Sequence, residues 1–219
     1  MDFSIQSCVS FGWETFKKRP WFFVGASVVI AIAYMVIGAF TSAIDSLLGG
    51  SREDPTLLGS LADFGLSTLV NMGVTAFYLA AHDNPDTVDL NPLWHPRPFW
   101  KYLGASILLG LVIVAGFILL IIPGIIFALM FMFTTFIVID REPGALDAMK
   151  ESKSITHGFK WPLLGFVCVL TLINLAGAIA LLVGLLVTIP VTSLAFVHAY
   201  RVLQARSGVP RAISADAKL

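Results

Sequence analysis

A chain of 219 residues that is 57% hydrophobic and only 13% charged has more apolar surface than one soluble domain of its size can bury, so an ordinary water-soluble fold is excluded and the excess needs lipid. Fourteen basic residues balance fourteen acidic ones, and their interspersion argues against the electrostatic footprint of a nucleic-acid-binding protein. Two cysteines, Cys8 and Cys168, give no disulfide framework and read as apolar fillers.

The chain opens on an amphipathic pattern. Ile5, Cys8, Val9, Trp13 and Phe16 share one helical side, with Gln6, Ser7, Ser10 and Glu14 mostly elsewhere, which predicts an interfacial helix over 1–18. Lys17, Lys18 and Arg19 then precede an apolar run from Trp21 to Phe40. That run is longer than the roughly 7–15 residues of a signal-peptide core, so it is read as a first membrane span, about 21–43, rather than a cleaved leader.

A second span, about 61–81, carries a polar stripe. Asp63, Ser67, Asn71, Thr75, Tyr78 and His82 follow spacings of 4, 4, 4, 3 and 4, which keeps them within an arc of about 100° on one face. Asn71 lies near mid-membrane, with Asp63 and His82 at the two water interfaces. Two readings compete: a polar seam lining a cavity or path, or helix–helix contact in which Asn71 bonds a neighbour such as Asn174 at roughly 1 kcal/mol or less. The second is preferred. Asn91 to Pro98 follows with Pro92, Pro96 and Pro98, and predicts an extended segment along the membrane surface.

No Asp, Glu, Lys or Arg occurs from Tyr102 to Ile139 or from Trp161 to Tyr200. One span takes about 20 apolar residues, so each run is a pair of spans: 102–122 with 124–139, then 162–183 with 185–203. The only break in the first pair is Ile122-Pro123-Gly124-Ile125. Its second helix, near 24 Å by helical rise, is short for a core of roughly 30 Å. Local thinning, a re-entrant turn and a kink in one longer helix are the alternatives, and a spanning pair is favoured. Pro143-Gly144 ends that span. Ala145 to Phe159 then predicts a second interfacial helix over 145–159, with Leu146, Met149, Ile155 and Phe159 apolar and Lys150, Glu151 and Lys153 wet.

The stretch from Ile122-Pro123-Gly124-Ile125 through Asp140 to Ala148-Met149-Lys150, with Ser152, Thr156 and Gly158, resembles poorly characterised bacterial inner-membrane proteins. These are the YciC-like proteins and the membrane domain fused to some glycerophosphodiester phosphodiesterases. The resemblance implies an inner-membrane protein and carries over no catalytic residue, because no soluble phosphodiesterase domain accompanies it.

In the last pair, Asn174 follows Thr171 and Cys168 as a second polar patch. Ala176, Ala180 and Gly184 form a row of small residues, and Thr188, Thr192, Ala195 and Ala199 form another, both suited to close helix packing. His198 stands beside Tyr200 and Arg201 and reads as a lone headgroup contact. Residues 204–219 form a cytoplasmic tail.

A short motif recurs. Trp21-Phe-Phe-Val-Gly25-Ala26-Ser27 aligns with Trp100-Lys-Tyr-Leu-Gly104-Ala105-Ser106, and Trp161-Pro-Leu-Leu-Gly165 repeats the spacing. Duplication and convergence both explain it. Trp21, Trp100 and Trp161, with Lys18, Arg19, Lys101 and Lys160 beside them, suit the headgroup layer and are the candidate interfacial anchors. With the spans so placed, Arg52 alone of the fourteen basic residues falls opposite the rest. The positive-inside rule then puts both termini in the cytoplasm.

The expectation is an all-α integral membrane protein forming a single transmembrane domain over 1–219. It is a six-helix bundle of three helical hairpins, about 21–81, 102–139 and 162–203, with interfacial amphipathic helices. The histidines His82, His95, His157 and His198 show no metal spacing. No nucleotide-binding or nucleophile-elbow motif is present, and no cofactor is expected. The preferred reading is a non-enzymatic inner-membrane protein that organises lipid or serves as a subunit of a membrane complex. Its partners are then the bilayer, anionic headgroups and membrane proteins, with no nucleic acid. The alternative is a small transporter or channel for a lipid-like or small solute, with Asn71, Thr75, Tyr78 and Asn174 as the candidate polar seam and Pro123 and Pro190 as helix interruptions. An intramembrane enzyme would need Asp63 and His82 to meet, and one helix holds them about 28 Å apart.

Overall fold

The structure, a computed structural model, describes residues 3–51, 53–94, 98–180 and 184–208, and among these the regular elements are all helical. In chain order they are α1 (Ile5–Lys18), α2 (Pro20–Leu47), α3 (Leu57–Asp83), α4 (Phe99–Leu119), α5 (Ile121–Phe131), α6 (Thr134–Arg141), α7 (Ala145–Ile155), α8 (Lys160–Ile179) and α9 (Leu185–Arg206). Among the described residues six segments are long and apolar enough to cross a membrane: α2, α3, α4, the run Ile121–Arg141 that holds α5 and α6, α8, and α9.

Local chemistry sets the boundaries. Pro20 opens α2 at a position where a missing N–H is harmless. Thr56 caps α3 by accepting from the Gly59 N–H at 3.1 Å. The Asp45 carboxylate of α2 in turn accepts from the Thr56 N–H at 2.7 Å and hydroxyl at 2.6 Å, which pins the end of α2 to the start of α3. These contacts carry both helices past the expected limits of 43 and 61. At 28 and 27 residues they reach about 40 Å, longer than a hydrocarbon core.

The fourth span departs most from expectation. α4 ends where Leu120 turns fully extended, and Pro123 falls in the first turn of α5, where a proline costs little. The helix begun there breaks at Met132–Phe133 and resumes as α6. The break is covered by α7: the Ser152 hydroxyl donates to the Met130 carbonyl at 3.0 Å and accepts from the Phe133 N–H at 3.3 Å. The Thr156 hydroxyl lies 3.1 Å from the same carbonyl. Buried backbone groups that lose helical partners need such replacements, which gives a physical reason for Ser and Thr at these places.

α9 is the axis of the bundle, with Val191, Leu194, Ala195, Val197, Ala199, Tyr200 and Leu203 all buried and α1, α2, α3 and α8 packed on it. It lies tight against α8 where Gly177 and Gly184 meet, since a Cβ on Gly184 would overlap the Gly177 backbone and one on Gly177 the Thr188 side chain. Between helices in lipid, close van der Waals packing replaces the hydrophobic drive. Gly184 belongs to the row of small residues expected from spacing, and its partner on α8 is Gly177, which that row did not include.

One end of the bundle holds most of the core. There the starts of α2, α4 and α8 meet the ends of α3, α6 and α9: Arg19 donates to the Val88 carbonyl at 2.7 Å, Lys101 to the Glu142 carbonyl at 2.7 Å, and Arg206 lies over the Phe159 ring at 4.8 Å. Phe16, Phe23, Phe77, Tyr102, Phe133 and Ile137 fill this basic end. At the far end Met35, Val36, Leu111, Ile118, Leu172 and Ile179 remain exposed.

Four expected surface segments differ in detail. α1 buries Cys8, Gly12, Thr15 and Phe16 and leaves Trp13 exposed, because its inner face packs on α9. A Cβ on Gly12 would collide with the Val191 carbonyl oxygen. α7 buries Ala148, Met149, Ser152 and Ile155 against the break it covers, and Leu146 points away. The segment expected to be extended instead makes a 3-10 turn at Asn91–Leu93, with the Leu93 carbonyl against Gly73 of α3; residues 95–97 lie outside the described residues. α9 runs on to Arg206, so the expected tail is helical at its start, with Gln204 buried, and 209–219 lie outside the described residues.

Candidate functional site

The polar stripe on α3 divides between two neighbours. Asn71 turns to α2: its side-chain oxygen accepts from the Tyr34 hydroxyl at 2.9 Å, and its amide donates to the Ser67 carbonyl at 2.9 Å. Thr75 and Tyr78, one and two turns on, face a cleft of about 310 Å³ that α3 shares with α6, α8 and α9. Asn174 lines the same cleft from α8, bonded across to Thr192 of α9, with Nδ2 3.1 Å from the threonine hydroxyl. Of the four seam residues singled out by sequence, three therefore meet around one space. Asn71 does not, and the suggested Asn71–Asn174 contact is replaced by Asn71–Tyr34 and Asn174–Thr192.

Ser193 and Thr171 join the polar lining, and Phe136, Leu170 and Phe196 supply apolar walls. The Tyr78 hydroxyl sits beside the Ser193 and Ser27 hydroxyls. Tyr102 of α4 brings its hydroxyl to Thr75 and Thr135, just outside the cleft. Thr75, Thr171 and Thr192 share one habit: each donates its hydroxyl hydrogen to its own helix, to the carbonyls of Asn71, Val167 and Thr188 at 2.8, 2.9 and 2.8 Å. Threonine hydrogens used in this way leave oxygen lone pairs for other partners. Among the described residues the lining contains hydroxyls and an amide but no charged side chain.

The candidate anchors take distinct positions. Trp21, Trp100 and Trp161 are 86%, 80% and 82% exposed, each at the first turn of a long helix. Lys18 pairs with Asp86 at 3.3 Å with both side chains in the open. Arg19 stacks on Phe22 at 4.1 Å while bonding Val88, and Lys101 is held by Glu142. Lys160 starts α8 half-buried.

Next to the cleft stands a polar cluster that sequence reasoning missed. Arg201 on α9 bonds Asp83 of α3 at 2.7 Å and grips Asp140 of α6 at 2.7 and 2.9 Å. Tyr200 adds its hydroxyl to Asp140 at 3.0 Å. His198 is not a lone headgroup contact: its Nδ1 lies 3.1 Å from His82 Nε2, and His82 Nδ1 lies 3.0 Å from Asp83. The Phe11 ring of α1 stacks on His198 at 4.2 Å. His82 is one helical turn from Tyr78, and His198 adjoins Val197, both of which line the cleft. Among the described residues no three His, Cys, Asp or Glu side chains gather as metal ligands would. The only local signal was that Asp83, Asp140 and Arg201 are charges set at the ends of apolar helices.

No family model matches the chain and no solved structure does, so the comparisons give the YciC-like resemblance no support. Three curated bacterial proteins align with it at 29% identity over 229 positions, covering 92% of this chain and 69% of each of them. Two are from Mycobacterium tuberculosis, named Uncharacterized protein Rv2560 and Uncharacterized protein MT2637. The third is Uncharacterized protein Mb2590 of Mycobacterium bovis.

Proposed function

We propose that this is a non-enzymatic, multi-pass protein of the bacterial inner membrane that organises lipid or serves as a subunit of a membrane complex. In this reading it threads the bilayer as three hairpins, α2 with α3, α4 with α5 and α6, and α8 with α9. Both termini are cytoplasmic, and α1 and α7 lie level with the headgroups. One observation carries the lipid role: the helices converge at the basic end and leave large apolar side chains bare at the other, with a mixed polar and apolar cleft among them. Lys17, Lys18, Lys150 and Lys153 stand exposed, where each adds about 1 kcal/mol of attraction to an anionic leaflet.

The test is to excise the protein with its surrounding lipid in polymer nanodiscs and compare the retained lipids with the bulk membrane. A lipid class enriched several-fold is the expected result, with solute flux at background after reconstitution into liposomes. Retained lipid identical in composition to the bulk removes the lipid-organising role.

A transporter is the second reading, favoured by Pro190, which interrupts the hydrogen bonding of α9 just before the cleft-lining Thr192 and Ser193. Flux above background for any member of an ion, small-solute and amphiphile panel would replace the first reading with this one.

A further inference from the structure

We infer that the cleft between α3, α6, α8 and α9 binds a neutral amphiphile with a free hydroxyl, of the mono- or diacylglycerol class. The inference rests on the lipid-engaging reading above and narrows it to one ligand chemistry.

Charge comes first. Holding an anionic phosphate among these helices would require a cation in the lining, since an unpaired charge at membrane depth is expensive. The lining offers only hydroxyls and the Asn174 amide beside apolar walls. The cation nearest along α9, Arg201, is already taken up by Asp83 and Asp140. A phospholipid headgroup is therefore a poor fit, and so is a charged solute.

Hydrogen-bond polarity comes second. Thr75, Thr171 and Thr192 spend their hydrogens on their own helices, so what remains on each is acceptor capacity, part of it met on Thr192 by the Asn174 amide and on Thr75 by the Tyr102 hydroxyl, and open on Thr171. A ligand matched to acceptors must donate. Monoacyl- and diacylglycerols carry the free hydroxyls that do so, whereas a triacylglycerol has none. Shape agrees: Leu170, Phe136 and Phe196 line the same space and suit an acyl chain, and about 310 Å³ falls at the small end of the roughly 300–1,000 Å³ range of ligand sites.

The full chain in phosphatidylcholine nanodiscs is photolabelled with a diazirine-bearing diacylglycerol, and the labelled peptides are located by mass spectrometry. Unlabelled dioleoylglycerol, triolein and phosphatidylglycerol compete in separate arms. Label is expected on α8 and α9, displaced by dioleoylglycerol at about a tenfold lower concentration than by triolein, the ratio expected when one or two net hydrogen bonds are lost, and more readily than by phosphatidylglycerol, whose charge meets no cation in the lining. Phosphatidylglycerol has hydroxyls as well as charge, so this arm separates the charge argument from the donor argument.

Thr75→Val with Thr171→Val keeps shape and removes both acceptors, and is expected to cut labelling about tenfold. Thr171→Ser restores an acceptor and should recover label if the hydroxyl rather than the fold was lost. Label spread along all lipid-facing helices, or displaced equally by triolein, overturns the assignment. An unaltered retained-lipid profile in the polymer nanodiscs would instead sink the broader lipid reading. Enrichment of an anionic lipid, together with labelling that dioleoylglycerol does not displace, removes only this inference.

Discussion

Arg201 shows how much one side chain can hold in a bundle of this kind. Its own side chain is 10% exposed and that of Asp140 7%, against 49% and 70% for the Lys18–Asp86 pair. The two pairs therefore belong to different regimes. Removing one partner of a buried pair strands a charge at a cost of roughly 3–5 kcal/mol, whereas an exposed pair is worth about 0–1 kcal/mol. Arg201→Met, which leaves both Asp83 and Asp140 facing an apolar stem, should lower the thermal midpoint markedly in nanodiscs. Lys18→Met should leave it close to the parent, and equal midpoints for the two variants would contradict the network drawn here. None of this was legible beforehand, because Arg201 was readable only as one more positive charge. Its partners lie 61 and 118 positions away, and no periodicity encodes a contact that distant. His198 was misjudged for the same reason, its partner being 116 positions back.

Element by element, periodicity told more about which helices exist than about which face each one hides. The pattern over 1–18 puts Cys8, Trp13 and Phe16 on one apolar side, and of these Cys8 and Phe16 are buried while the Trp13 ring is exposed. Gly12 and Thr15, which have little hydropathy signal, are buried as well. The reason is that α1 packs on a helix rather than on lipid, and a helix–helix seam selects small residues. Docking of α1 has a chemical readout in Cys8, which is fully buried and whose thiol burial pushes up from 9.0 to about 11. Because the thiolate is the reactive form, a raised value means about a hundredfold less of it at pH 8 than for an ordinary thiol. With Cys168 replaced by Ala, Cys8 should resist maleimide at pH 8 and begin to react only as pH climbs toward 11. Gly12→Leu, which forces α1 off the Val191 carbonyl, should expose it at pH 8. Prompt labelling in the unsubstituted helix, or continued protection in the leucine variant, would show that α1 is not docked as described.

At the scale of the molecule, six apolar segments were legible because a bilayer imposes length and neutrality on anything that crosses it, and six segments long and apolar enough to cross one are found among the described residues. The threefold Trp-x-x-x-Gly motif gains structural content as well. Each Trp is exposed, while the second and fifth residues after it are buried: Phe23 and Ala26, Tyr102 and Ala105, Leu163 and Phe166. All three helices thus enter the bundle in one rotational register. The cleft residues were half legible, since Thr75, Tyr78 and Asn174 stand out as polar groups in apolar helices. Ser193 and the walls took the fold to find.

That shared register sets up the last expectation. If every Trp-led helix starts on one side, the turn between α2 and α3 lies across the membrane from the start of α4 and the end of α9. Arg and Lys cost about 2.5–3.5 kcal/mol each at a helix centre, and short basic loops stay cytoplasmic. The loops at the basic end should therefore be retained and the Gly49-Gly50 turn exported. A phosphatase reporter placed at Gly49-Gly50 should be active only outside the cytoplasm, and a fluorescent reporter after Leu219 should mature only within it. Reporters that share a compartment would mean an even number of crossings between them in place of the five drawn here, and a different reading of which face meets the anionic headgroups.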